Sequence, residues 1–205
     1  ENCRICSSKN IKEVLDLGDQ PPANSLFKAI DEMPPTVPLR LMYCQNCSTV
    51  QLGEDVDPEY LFSQYLWVTG TSNAAIDYSH EFTKKALSQV DEANMKPYVV
   101  EIASNDGTFL KRFIENGCKV LGVDPAKNIA ELAIKNGVPT NANFFTVELA
   151  KQLLNKDGEA DIVIARNVIP HVKEIHSVIE GMSVLLKEEG AGIIEFHNAG
   201  LILEE

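Results

Sequence analysis

No run of apolar residues in this chain approaches the roughly 18 that a membrane span requires, and the start, Glu1-Asn2-Cys3-Arg4, has neither the basic nor the apolar region of a secretory signal. The expectation is a soluble, cytoplasmic protein. Positive charge is also scarce: 18 Lys and Arg stand against 30 Asp and Glu, a formal net charge of -12. That balance disfavours attraction to nucleic-acid phosphates or anionic membranes across the chain as a whole and favours a small-molecule or protein partner. Internal repeats and low-complexity tracts are absent. Cysteine is sparse, with five in 205 residues, and an odd number leaves one over from any full set of disulfides.

Four of those cysteines form two Cys-x-x-Cys pairs, Cys3-Arg4-Ile5-Cys6 and Cys44-Gln45-Asn46-Cys47. Each pair places two thiolates on a tight turn, and two such turns facing each other supply four soft ligands to one tetrahedral Zn2+. The 37 residues at positions 7–43 must loop out and return. Disulfides are disfavoured by the expected compartment, and a redox pair by the lack of a βαβ pattern around either motif. A closed four-thiolate site has no open coordination position, so its role is expected to be structural.

Residues 1–72 read as a small zinc-binding module, loop-rich because Gly18, Pro21, Pro22, Pro34, Pro35 and Pro38 interrupt any long periodic pattern. Residues 73–96 read as a helical linker, with a helix from Asn73 to Val90. Residues 97–205 alternate short apolar runs with amphipathic stretches, the pattern of a parallel α/β sheet. Five strands are expected: Tyr98 to Ile102, Val120 to Val123, a weak one before Phe144, Asp161 to Ala165, and Gly192 to Phe196. Phe109, Leu110, Phe113 and Ile114 recur at helical spacing, as do Ile129, Leu132 and Ala133, and Ile175, Val178, Ile179, Met182 and Leu186. The fold class is therefore an α/β Rossmann-like sheet preceded by a zinc-binding module.

The run from Glu101 through Ile102, Ala103, Ser104, Asn105 and Asp106 to Gly107 lies between a strand and a helix, where such folds bind nucleotide cofactors. A dinucleotide site needs G-x-G-x-x-G so that backbone amides can approach a pyrophosphate, and only Gly107 is present. The flanking acids, Glu101 and Asp106, would repel a pyrophosphate. They suit S-adenosylmethionine, which carries an ammonium and a sulfonium and no phosphate. Asp124, 23 residues after Glu101, ends the next strand, where an acid can accept hydrogen bonds from both ribose hydroxyls.

At this point the chain resembles the bacterial sugar C-methyltransferases that act on nucleotide-linked keto-deoxy-sugars. The resemblance is carried by Val100 to Phe113, by Val120 to Pro125, and by both cysteine pairs. Gly18 to Asn24, Asn143-Phe144-Phe145, Asn167 to His171 and Ile194 to His197 follow in matching order and spacing. Where the family usually has glycine this chain has Ala103, a tolerable change if the backbone there does not need a positive φ. The resemblance implies cofactor contacts from Glu101, Ala103, Ser104, Asn105, Asp106, Gly107, Asp124, Pro125, Asn143, Phe144, Arg166 and Asn167. It also implies a three-part enzyme with two more strands and a C-terminal, pocket-completing domain, including a Tyr-x-Glu-His segment, beyond Glu205.

Methylating a carbon beside a ketone requires a base that removes a proton, and the resulting enolate attacks the sulfonium methyl. His171 follows the fourth strand at the cleft edge and resembles the family's active-site histidine; its plain alternative is a helix-start histidine bonded to backbone. Tyr65 lies in a segment resembling the family's Tyr-x-Tyr-x-Ser-Ser pattern, which implies that it is a catalytic tyrosine of the sugar site, with simple interdomain packing as its plain alternative; Trp67 takes one tyrosine position and Thr69-Gly70 replace the serines. His197 follows the fifth strand and is expected either to line the sugar site or to cap the strand. His80 and Cys118 read as structural. Two other functions stay open: methyl transfer to oxygen or nitrogen of another metabolite, and a non-catalytic cofactor- or zinc-binding module. Sugar identity and oligomeric state are not legible.

Overall fold

Residues 98–102 are all buried, yet successive side chains enter different cores. Tyr98, Val100 and Ile102 join Phe145, Leu149, Leu153, Val178 and Met182, whereas Val99 joins Phe82, Phe109, Leu110 and Phe113. The next strand in the core repeats the division, with Val163 and Ala165 on the first side and Ile162 and Ile164 on the second. A strand buried on both faces requires helices above and below the sheet.

The structure, a computed structural model, describes residues 2–23, 35–91, 94–198 and 200–201. Asn24 of the family segment, Pro34 and the residues after 201 lie outside the described residues. The chain divides into two compact units, residues 1–66 with 173–176, and residues 67–172 with 177–205.

The first unit holds an antiparallel sheet of order β1-β2-β3: β1 (Ile11–Gln20), β2 (Val37–Cys44) and β3 (Val50–Leu52). This differs from the loop-rich expectation. The turn formers are absorbed by irregular pairing: Gly18, at φ +68°, sits where the β1–β2 register shifts between Asp16 and Asp19, and Pro38 pairs with Asp19. A short helix, α1 (Pro58–Phe62), follows, started by Asp57, whose side chain accepts from the Glu59 N–H.

The second unit is a parallel five-stranded sheet of order β6-β5-β4-β7-β8, from β4 (Tyr98–Ile102), β5 (Lys119–Val123), β6 (Thr140–Asn141), β7 (Ala160–Arg166) and β8 (Leu186–Glu195). All five expected strands are present. The chain order reverses between β4 and β7, and such a switch point opens a crevice at the carboxyl ends of the strands. Helices α2 (Asn73–Leu87), α3 (Thr108–Glu115) and α4 (Lys127–Lys135) contribute to the Phe113 core, and α5 (Val147–Asp157) and α6 (Ile175–Leu185) to the Met182 core. Ser72 caps α2 by accepting from the Ala75 N–H, and Phe82 and Ala86 on that helix are core residues. Leu186, grouped by periodicity with the helix before it, instead begins β8 opposite Ala160. Ile114 and Ile179, expected in the core, are exposed. Among the described residues no helix is long and apolar enough to cross a membrane.

Candidate metal centre and cofactor crevice

The two cysteine turns are built alike. Cys3 N–H donates to Ser8 O and Ser7 N–H to Cys3 O; Cys44 N–H donates to Thr49 O and Ser48 N–H to Cys44 O, all at 2.8–2.9 Å. Each turn closes on a serine directly after the second cysteine, in the left-handed region at φ 59° for Ser7 and 64° for Ser48. Sequence reasoning missed these two serines, though their identical offset from each pair was a visible signal. The four thiol sulfurs lie within 4.8 Å of one another, with Cys3–Cys47 at 3.5 Å and Cys6–Cys44 at 3.6 Å. Zinc–sulfur bonds of about 2.3 Å in a tetrahedron put sulfurs about 3.8 Å apart, so the donor set fits Zn2+ without rearrangement of the turns. The Thr49 hydroxyl, 3.1 Å from Cys47 Sγ, holds that thiol down at about 6, whereas burial pushes Cys44 up to about 11. A divalent cation favours the thiolate at both.

In the second unit, β4 runs into the loop 103–107, which bends through three left-handed residues: Ala103 at φ 53°, Asn105 at 50° and Gly107 at 79°. The condition under which Ala103 would replace glycine freely is therefore not met. Asp124, at the end of β5, accepts from Asn105 N–H and Ala126 N–H, both at 2.9 Å, so its carboxylate fixes the loop while each oxygen keeps further acceptor capacity. Burial raises its pKa. Pro125 follows it.

Not every predicted cofactor contact is free. Asp106 is buried, and its carboxylate accepts from Gly70 N–H at 3.0 Å and from the Thr108 hydroxyl at 2.8 Å. Ser104 Oγ faces β5, where a Cβ on Gly122 would come within 2.4 Å of it. Asn105 Oδ1 accepts from Thr69 N–H at 2.9 Å and its Nδ2 donates to Trp67 O at 3.0 Å. The segment 67–71, a 3-10 turn at Thr69–Thr71, is thus pinned on the loop.

Alternation puts Glu101, Arg166 and Glu195, at the carboxyl ends of β4, β7 and β8, on the face that carries α2 and α3. Glu101 is fully buried; its Oε1 accepts from Arg166 Nε at 3.0 Å, and its Oε2 has no hydrogen-bond partner among the described residues. Burial pushes the Glu101 carboxyl up to about 7, against the pull of Arg166. The Arg166 guanidinium lies over the Phe109 ring, 3.2 Å from its centre. Glu195 accepts from the Tyr78 hydroxyl at 2.6 Å and from Asn167 Nδ2 at 3.4 Å, while Arg166 Nη1 stays 3.9 Å away. Asn167, at φ 52°, also donates its N–H to Glu195 O at 2.7 Å. Tyr78 was not foreseen, because it and Glu195 are 117 positions apart.

His171 is exposed in a 3-10 turn, Ile169–His171, after β7, and its N–H donates to Val168 O at 2.9 Å. His197 is exposed just past β8. Asn143 is exposed on the loop after β6, with Nδ2 on Asn141 Oδ1 at 2.7 Å, and Phe144 is half-buried. Tyr65 falls in the first unit, where its ring lies 6.4 Å from that of Phe62. His80 Nε2 lies 3.3 Å from Arg112 Nη1 on α3, and Cys118 is buried in the Phe113 core.

Residues 3–62 match the family described as "Putative zinc binding domain", and residues 100–191 match "Methyltransferase domain". The chain thus resembles a zinc-binding domain joined to a methyltransferase domain. Across 197 residues, 95% of its length, it is 29% identical to the C-methyltransferase NovU of Streptomyces niveus. Over 118 residues, 57% of its length, it is 23% identical to a ubiquinone biosynthesis O-methyltransferase of Bartonella quintana. Each match covers 47% of that protein, so the chain spans about half the length of these curated relatives. The crystal structure of the PH0226 protein of Pyrococcus horikoshii superposes with a TM-score of 0.53 at 19% identity, covering 72% of this chain and 62% of that one, and shares the fold. The methyltransferase domain implies S-adenosylmethionine, and the four-cysteine module implies zinc. The crevice fits the former: its buried, unpartnered carboxylate oxygen suits a cation.

Proposed function

We propose that the chain is the zinc module and cofactor domain of a C-methyltransferase whose methyl acceptor is a nucleotide-linked keto-deoxy-sugar. The supporting observation is the 29% identity to the C-methyltransferase NovU, which runs through both units rather than the methyltransferase domain alone. The cofactor would supply an electrophilic methyl on a sulfonium. In this reading the loop 103–107 receives its aminoacyl end, the Asp124 carboxylate accepts from the ribose hydroxyls, and Asn143 and Phe144 flank the base. His171, on the turn after β7, takes the proton from the carbon beside the ketone, and the enolate so formed accepts the methyl. The zinc site, closed by four thiolates, holds its own unit together.

A second reading, methyl transfer to oxygen, is favoured by the match of 118 residues to an O-methyltransferase. Incubation of the full-length enzyme with S-adenosylmethionine and a panel of nucleotide-linked keto-sugars, followed by NMR of the product, separates the two: a new C–CH3 supports the first and an O–CH3 the second. Replacing His171 with Asn should lower kcat about 100-fold or more with cofactor affinity nearly intact. Deuterium exchange beside the ketone is the sharper measurement, since undiminished exchange in that variant would exclude His171 as the base.

A further inference from the structure

We propose that the first cysteine turn holds the chain just past His171, so that the zinc site positions the turn bearing that histidine as well as its own unit. The inference rests on the reading of His171 as the base. His176 and Lys173 are the positioning residues.

The first unit takes in residues 173–176, a segment far along the chain from the rest of it. Both residues inside the Cys3-Arg4-Ile5-Cys6 turn reach that segment. His176 Nε2 lies 2.9 Å from Ile5 O, across 171 positions of sequence. A carbonyl only accepts, so the ring carries a proton on Nε2 and donates it. Lys173 Nζ pairs with Asp55 Oδ2 at 3.0 Å, and Asp55 Oδ1 pairs with Arg4 Nη2 at 2.5 Å. Arg4 is fixed in turn: its N–H donates to Gln51 Oε1 at 2.9 Å, and its Nη2 to Leu52 O at 3.3 Å and Glu54 O at 3.4 Å. Arg4 and Ile5 stand between two candidate ligands whose thiolates repel one another without a cation. Metal binding therefore fixes the backbone from which both contacts are made.

His171 lies two residues before Lys173 and five before His176. Its 3-10 turn packs on the Met182 core through Val168, Ile169 and Val172, while His171 itself is exposed. Apolar packing is non-directional, so it seats the turn without fixing where the exposed imidazole points. The hydrogen bonds of the turn are local, His171 N–H on Val168 O at 2.9 Å and Val172 N–H on Ile169 O at 3.2 Å. Direction comes from the ion pair of Lys173 and the hydrogen bond of His176 just downstream. With consecutive Cα atoms about 3.8 Å apart, an anchored Lys173 leaves His171 little room to swing.

The test is amide hydrogen exchange of the full-length, zinc-loaded protein, read at His171 and Val172 with β7 as the internal reference. His176→Phe removes the donor and should speed exchange at both amides about fivefold, the worth of one exposed hydrogen bond, with β7 unchanged. His176→Gln, whose side-chain amide donates to the same carbonyl, should restore the wild-type rates. Chelation should speed the same two amides in the wild type and add less in His176→Phe, where the link is already cut. In turnover, His176→Phe should lower kcat with KM for S-adenosylmethionine unchanged. Unchanged exchange at His171 and Val172 in His176→Phe would overturn the proposal, as would a chelator effect of equal size in both proteins. A rise that extends to β7, or that His176→Gln fails to reverse, would reduce His176 to a structural part and overturn it too. Exchange that behaves as expected while kcat holds would leave the anchor standing and overturn the reading of His171 as the base, so the two failures are distinct.

Discussion

Ala103 occupies a backbone conformation that an L-residue with a Cβ enters at a cost of about 1–2 kcal/mol, and glycine enters freely. Ala103→Gly should therefore stabilise the fold by up to about 1 kcal/mol, part of the relieved strain being returned as backbone entropy. A higher denaturation midpoint at constant m-value checks it; a lower midpoint would mean that the alanine methyl has a packing role. Glu101 gives a second residue-level expectation. Its carboxyl is raised by burial from an ordinary 4.5 to about 7 in the folded protein, so folding favours the protonated form. The stability this contributes is fully present below about pH 4.5 and is lost as pH rises through 7. Subtracting the pH–stability curve of Glu101→Gln from that of the wild type should isolate this fall, and parallel curves would refute it.

Among the elements, the segment 67–71 shows most clearly how a short stretch is fixed by others. A Cβ on Gly70 would lie 2.6 Å from Asp106 Oδ2 and 2.8 Å from Thr108 Oγ1, so Gly70→Ala must push the buried Asp106 off its Gly70 N–H bond. The expected loss is about 1–3 kcal/mol of stability, read by chemical denaturation. The sequence noted Thr69-Gly70 only as a departure from a serine pair, because their partners lie 36 positions on in Asn105 and Asp106. The sheet was legible for the opposite reason. Val99, Val100, Ile162, Val163 and Ile164 are contiguous apolar residues, and a strand covered on both sides has no polar face to disguise it. In the first unit Gly18 and Pro38 lie inside strands, where bulged antiparallel pairing accepts them, so punctuation suggested loops. The clustering of the four cysteines and the position of Asp124 just after β5 were legible because local spacing sets them; the Tyr78–Glu195 pair was not, since nothing local joins them.

At the scale of the whole molecule the two units differ in what holds them. The buried apolar residues described in the first are Cys3, Pro22, Met42 and Cys44, two of them thiols of the four-cysteine cluster, whereas the second has two full cores. A strong chelator should therefore abolish amide protection along β1 and β2 while β4 and β7 stay protected, as followed by hydrogen exchange. Loss of protection in both units at once, or in neither, would contradict this division. The chain has a single tryptophan, Trp67, and its carbonyl is tied to Asn105, whose own N–H donates to Asp124. The indole is 57% exposed and begins the second unit at the rim of the cofactor loop. Its emission therefore arises from one place only, and the protein carries an intrinsic optical probe, free of any attached dye, whose colour and quenching report on the 103–107 loop and so test the proposal that a nucleoside settles against Asp124.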